Sequence, residues 1–194
     1  MWVKEVNLMV NALILTTLVR SIIHGLMKYL LITIIACLLV TPIFSQKKEV
    51  TTSTTFVLVR HAEKAQDGSK DPALTAEGQS RAERLSQLLD QENISALYAT
   101  PYQRTQLTLK PIADSRQLEI NTYKPFEEGF LNNLLLSHPD QIVVIAGHSN
   151  TIPALVNALI GEDKFSQLDE SDYNDIFIVT ASEVGDGTAI QLTY

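Results

Sequence analysis

The sequence predicts the α/β class with a mainly parallel sheet, on three observations. Short apolar, β-branched runs alternate along the chain with longer stretches whose apolar residues recur at helical spacing. The 194 residues suit one domain with an attached N-terminal segment. Apolar residues at 45% and charged residues at 19% provide for a packed core and argue against disorder.

Residues 27–45 read as an export signal. Lys28 supplies a positive start, Tyr29–Gln46 carries no charge and is mostly Leu, Ile and Val, and Ser45 is a small residue at a plausible cut. An anchor that stays in the membrane is the alternative, since the uncharged run is near the lower limit of a spanning length. A lipoprotein is another, through Ile34-Ile35-Ala36-Cys37, although the apolar Leu38-Leu39-Val40 counts against it. Residues 1–26, with an apolar stretch Leu8–Leu18 closed by Arg20, read as an extension upstream of a start at Met27. Each reading places the domain outside the cytoplasm, periplasmic or secreted, or held at the membrane by its N-terminal segment. Residues 46–54 are polar and threonine-rich, a linker, and residues 55–194 form the domain.

Within the domain, Thr55–Val59 reads as a buried strand ending at Arg60-His61. Ala62–Asp71 is polar, contains Gly68 and is stopped by Pro72, so it is a loop. Thr75 caps a helix with Ala82, Leu85, Leu88 and Leu89 on one face. Ile94–Ala99 is a strand, and Thr100-Pro101 then signals a helix start, which puts Arg104 in the first turn. Leu118–Tyr123 is a short strand. Phe126–Ser137 is a helix with Phe130, Leu131, Leu134 and Leu135 on its apolar face. Gln141–Ala146 is the strongest strand and runs directly into Gly147-His148-Ser149-Asn150. Ile152–Ile160 is a helix closed by Gly161. Leu168–Asn174 is acidic and reads as a solvated loop. Ile176–Val179 and Ala189–Leu192 are strands around Gly185-Asp186-Gly187, whose glycines open no helix and so form no dinucleotide loop.

Charge and cysteine content exclude several functions. From Gln46 onward there are 12 basic and 21 acidic residues, within a whole-chain net charge of -7. That balance argues against nucleic acid as a partner and requires any anion site to be a local cluster of positive charge. The single cysteine, Cys37, lies in the N-terminal segment, so the domain has no disulfide, thiol nucleophile or cysteine zinc site.

The local cluster is Arg60, His61, Arg104 and His148. Ligands of open α/β sheets bind at the carboxyl ends of the strands, and these residues fall at three such ends. Guanidinium groups offer permanent, planar donors to phosphate oxygens. A neutral imidazole is a nucleophile towards phosphorus, and a second, protonated imidazole can bind an equatorial oxygen. With the arginines supplying the positive charge, neither metal nor cofactor is required.

Four motifs occur in order here. They are Leu58-Val59-Arg60-His61-Ala62-Glu63-Lys64; Asp71-Pro72-Ala73-Leu74-Thr75 with Gly78 and Arg81-Ala82; Ala99-Thr100-Pro101-Tyr102-Gln103-Arg104-Thr105; and Ala146-Gly147-His148-Ser149-Asn150. Together they resemble the histidine phosphatase superfamily, the phosphoglycerate-mutase-like family, over roughly residues 54–180. The resemblance implies a three-layer sandwich with helices on both sides of the sheet. It implies His61 as the nucleophile that becomes phosphorylated, with Arg60, Arg104 and His148 on the phosphoryl oxygens. Ser149 and Asn150 stand beside His148 as further substrate-side groups, Glu63 as a possible orienting group, and Thr75 and Gly78 as structural residues. Ser149 occupies the position where one branch carries an aspartate, which places the chain in the other, first branch, among its compact members. That branch takes its acid from the segment between the second arginine and the second histidine. Here the candidates are Glu127 and, alternatively, Glu128, and some compact members that act on phosphohistidine do without an acid.

The function expected is therefore an exported, metal-independent phosphatase acting on a small phosphomonoester or on a phosphohistidine protein. A non-catalytic phosphate-binding module of the same fold and a phosphomutase are the alternatives. Lys64, Lys70 and Lys124 would favour a substrate with a second anionic group.

Overall fold

The computed structural model describes residues 2–39 and 52–194, and the chain divides into two compact units between Val50 and Thr51. In the first unit, α1 (Trp2–Leu39) is one uninterrupted helix. Its stretch Leu13–Ile34, 22 residues with a mean hydropathy of 1.3, is long and apolar enough to cross a membrane. Apolar side chains point outward all around it: Leu15, Leu18, Ile22, Leu26 and Leu30 are all exposed. No face is reserved for a protein core. Met27 lies within this helix, while the cut expected at Ser45 and most of the linker, residues 46–51, lie outside the described residues.

The second unit alternates strand and helix as the residue periodicity requires. Its elements are β1 (Thr54–Arg60), α2 (Ala76–Leu88), β2 (Ile94–Ala99), α3 (Gln103–Arg116), β3 (Ile120–Thr122), α4 (Phe130–Ser137), β4 (Ile142–Gly147), α5 (Thr151–Ile160), β5 (Asp175–Ala181) and β6 (Thr188–Thr193). The six strands form one sheet in the order β3-β2-β4-β1-β5-β6. The first four run parallel, and β5 and β6 add two antiparallel ladders.

The three layers follow from the two-residue period of the central strands. In β1, Phe56 and Leu58 face one core with Val143 and Ile145 of β4, and α4 and α5 cover it with Leu131, Leu134, Ile152, Val156 and Leu159. Val57 and Val59 face the other core with Val144 and Ala146, under Leu85 of α2 and Leu109 and Ile112 of α3. Such double-sided burial explains why these strands are unbroken apolar runs.

Several element boundaries differ from the sequence reading, each for a local reason. β1 begins at Thr54, one residue inside the expected linker, because Thr54 pairs with Ala181 of β5, and its hydroxyl donates to the His138 carbonyl at 2.8 Å. Leu88 is 56% exposed, so the apolar face of α2 is Ala82, Leu85 and the following Leu89. The third strand is only Ile120–Thr122. α3 starts at Gln103 with Tyr102 as cap, not Thr100, whose hydroxyl is engaged elsewhere. α4 starts at Phe130, after Gly129 in the left-handed region, so Glu127 and Glu128 lie in a turn ahead of it instead of in its first turn.

Candidate active site

Three adjacent parallel strands deliver the cluster. Arg60 ends β1 and pairs with Gly147 at the end of β4, while Ala99 at the end of β2 pairs with Ala146. The chain then turns through Thr100–Tyr102 and places Arg104 in the first turn of α3. The His61 amide donates to the Gly147 carbonyl at 2.9 Å, which fixes the two histidine-bearing ends side by side. Gly147 is required there: a Cβ would stand 2.7 Å from Thr151 Oγ1 and 2.8 Å from the Tyr123 hydroxyl.

The two imidazole rings meet edge to face with centroids 5.5 Å apart. His61 is buried, and its Nδ1 lies 2.8 Å from the Ala62 carbonyl. A carbonyl only accepts, so Nδ1 carries the proton and Nε2 holds the lone pair. Burial, with Arg104, Arg60 and His148 nearby, pushes the His61 pKa down to about 3 against the Ala62 hydrogen bond that raises it. The ring is neutral at pH 7.

His148 Nε2 lies 2.9 Å from the buried Thr100 hydroxyl. The Thr105 hydroxyl donates to the backbone carbonyls of Thr100 and Tyr102, both at 2.8 Å, so Thr100 must donate to Thr105 across their 2.9 Å contact. The Thr100 oxygen then accepts from His148 Nε2–H, and Nδ1 is the nitrogen left for a ligand. Burial and the charges of Arg104 and Arg60 push the His148 pKa down to about 4. The protonated imidazole expected from the sequence is thus neutral in the free site, because burial and, after it, the two guanidinium groups beside it disfavour the charge.

Arg60 is 2% exposed and stacks on Tyr173 at 4.3 Å. Its Nη1 donates to the Asp169 and Asp172 carbonyls at 2.6 and 2.8 Å, and its Nη2 to Glu170 at 3.0 Å. Arg104 stacks on Tyr102 at 4.3 Å and faces Asp71 at 3.7 Å. The Nε of each arginine is buried without a hydrogen-bond partner among the described residues.

The remaining expected residues divide. Ser149 is buried and donates to Glu170 at 2.8 Å, whereas Asn150 is exposed at the start of α5 and its side chain makes no capping bond. Glu63 is bound at both oxygens by Arg81, the shortest contact 2.6 Å, so it braces the loop against α2 and does not orient the imidazole. Thr75 accepts from the Gly78 amide at 3.1 Å, and a Cβ on Gly78 would stand 2.3 Å from the Glu63 carbonyl oxygen.

Glu127 lines a different groove, with Phe126, Phe130, Ala154 and Val184, that shares no residue with the cavity at Arg104. Glu128 is exposed in the same turn. Among the described residues, two carboxylates reach the cluster: Asp71, against Arg104, and Glu170, from the Leu168–Asn174 segment read as a solvated loop. The signal available in the sequence was Tyr173, an aromatic residue in an acidic run that would complement an arginine-rich site.

A cavity of about 460 Å³ opens beside the cluster, lined by Lys64, Lys70, Arg104, Glu170 and Tyr173 among others. Among the described residues no group of three or more His, Cys, Asp or Glu side chains is arranged to hold a metal ion. The arrangement can hold a tetrahedral oxyanion between two guanidinium groups and two imidazoles, with a lone pair on His61 Nε2 next to it.

A family model for the histidine phosphatase superfamily (branch 1) matches residues 56–130. A curated relative, phosphoserine phosphatase 1 of Hydrogenobacter thermophilus, is 37% identical over 70 residues. That match covers 33% of this chain and 33% of the relative, so the chain spans about a third of the curated relative's length in the matched region. Two solved structures share the fold. One is the protein histidine phosphatase SixA complexed with tungstate, with a TM-score of 0.60, 21% identity, and 72% of this chain and 96% of that one covered. The other is a mycobacterial glucosyl-3-phosphoglycerate phosphatase, with a TM-score of 0.59, 14% identity, and coverage of 71% and 97%.

Proposed function

We propose that this chain, whose residues 56–130 match the histidine phosphatase superfamily (branch 1), is a member of that superfamily and hydrolyses a small phosphomonoester, or a phosphohistidine, outside the cytoplasm through a phosphohistidine on His61. The observation that carries the reading is the meeting of a neutral His61, lone pair on Nε2, with Arg60, Arg104 and His148 on adjacent strand ends.

Arg60 and Arg104 take the phosphoryl oxygens with the Nε–H donors that have no partner among the described residues. The dianion reverses the balance at His148, favouring protonation of Nδ1 so that it too donates to an oxygen. His61 Nε2 then attacks phosphorus as the bond from phosphorus to the leaving group breaks and that group departs, and the imidazolium charge that develops is stabilised by the Nδ1–H bond to the Ala62 carbonyl. Water resolves the intermediate and restores the imidazole. No step requires a metal ion. Lys64 and Lys70 at the cavity favour a substrate bearing a second anionic group. Export, with α1 cleaved or kept as an anchor, is supported by the apolar span Leu13–Ile34.

The test is hydrolysis of p-nitrophenyl phosphate by the full chain in detergent with EDTA, beside His61→Ala. The expected result is turnover that survives EDTA and falls on the order of a thousandfold or more in the variant. Loss of activity in EDTA, or equal rates for the two proteins, would overturn the mechanism. Binding of vanadate without turnover on phosphoester or phosphohistidine would establish the phosphate-binding module instead.

A further inference from the structure

We propose that Glu170 is the catalytic proton donor of this site, the group that protonates the leaving oxygen when His61 takes the phosphoryl group. This rests on the phosphatase reading above and assigns the one chemical role that the four clustered residues leave unfilled.

Position carries the proposal. Glu170 Oε2 lies 3.0 Å from Arg60 Nη2, and Oε1 accepts from Ser149 Oγ at 2.8 Å. Its two partners are the residue preceding His61 and the residue following His148. Displacement in line from His61 Nε2 directs the leaving oxygen away from the imidazole, towards the open cavity. Glu170 is the carboxylate among the described residues that lines that cavity, together with Arg104, Lys64 and Tyr173. Other acids nearby are committed: Glu63 to Arg81, and Asp71 to the Gln103 amide at 2.9 Å and to Arg104.

Charge supplies the proton when it is needed. In the free site the Ser149 hydrogen bond, with the charges of Arg60 and Lys64, holds the Glu170 carboxyl below its ordinary range against the opposing effect of burial. Asp169, the acidic neighbour, turns its carboxylate to Ser171. A phosphate dianion entering between Arg60 and Arg104 draws off the Arg60 charge and adds its own negative charge beside Glu170. Both changes favour the protonated carboxyl. As His61 Nε2 bonds to phosphorus, the bond from phosphorus to the leaving oxygen breaks, and that oxygen takes the Glu170 proton and departs as the alcohol. In the second half, Glu170 carboxylate takes a proton from the attacking water, the Nε2–P bond breaks, and phosphate leaves with Glu170 protonated again.

A leaving-group comparison with the full chain in detergent tests this, because only a proton donor discriminates by leaving group. Glu170→Gln is expected to lose about a hundredfold in kcat/KM on 2-glycerophosphate, whose alkoxide cannot leave unprotonated. It is expected to keep kcat/KM within a few-fold of the parent on p-nitrophenyl phosphate, whose phenolate leaves without a proton, because kcat/KM ends at departure of the alcohol and excludes the water step that Glu170 also serves. Glu170→Asp, which keeps an ionisable carboxyl, should recover part of the 2-glycerophosphate activity. Equal losses on both substrates, or none, would overturn the proton-donor role while the phosphatase reading stands. Turnover by the parent on a phosphohistidine peptide alone would overturn the proton-donor role, and absence of turnover on that peptide and both phosphoesters would overturn both.

Discussion

At the scale of single residues, the chemistry turns on which nitrogen of each imidazole carries a proton. The Ala62 carbonyl assigns Nδ1–H to His61, and the Thr100–Thr105 hydroxyl pair assigns Nε2–H to His148. One ring thereby offers a lone pair to the site from Nε2, and the other presents Nδ1. Thr100→Val removes the acceptor while nearly preserving volume, freeing the ring to rotate or change tautomer. The expected outcome is a kcat reduced by about tenfold or more with the fold retained, and near-parent activity in Thr100→Ser, measured on p-nitrophenyl phosphate. Equal activity in the valine and serine variants would show that the hydroxyl does not position His148.

The site at the scale of elements is held by what surrounds the strand ends. The loop carrying Glu63 is locked to α2 by Arg81, which also donates to Asn174 and to the Tyr194 carbonyl, and so ties α2 to the two sides of the antiparallel edge. Both charges are largely buried, with side-chain exposures of 8% and 13%. Arg81→Ala strands a buried carboxylate and is expected to cost about 3 kcal/mol in urea unfolding of the domain. A loss under 1 kcal/mol would mean that water replaces the guanidinium at little cost. Gly78→Ala is expected to disturb the same junction by steric means, since its Cβ would meet a backbone oxygen that has no rotamer through which to yield.

For the whole molecule, pH links the site to stability. Both site imidazoles have folded pKa values below the ordinary histidine value of 6.5, at about 3 and about 4. Between pH 6.5 and pH 4 the unfolded chain therefore binds more protons than the folded one, and stability falls as the pH drops through that window. Glu63, lowered by its bonds to Arg81 against the cost of burial, adds a loss in the same direction further into acid. The expected result is an unfolding free energy from urea titration lower at pH 5 than at pH 7, by on the order of 1 kcal/mol per pH unit. His61→Gln should flatten the dependence. A midpoint independent of pH over that range would show that the imidazoles protonate in place without penalty.

Much of this protein was legible in one dimension. Central strands buried on both faces must be continuous apolar runs, and amphipathic helices must repeat at 3.6 residues, so Thr55–Val59, Ile94–Ala99 and Gln141–Ala146 declared themselves. Arg60, His61, Arg104 and His148 were recognisable because strand ends in such sheets converge on one edge, whatever the intervening sequence. Helix starts were less legible: Thr100 has the chemistry of a cap but spends its hydroxyl on a contact 48 residues away. Glu127 and Glu128 looked like acids of a first helical turn, yet the chain turns at Gly129 and aims Glu127 into another groove. The Leu168–Asn174 segment carries no periodicity and looks like a solvated loop. Only the packing of α5 and β5 against the parallel strands brings its carbonyls and Glu170 onto Arg60, a residue more than a hundred positions earlier. Local propensity and burial are written residue by residue along the chain, whereas the partner of a buried charge depends on distances that exist only after the chain has closed on itself.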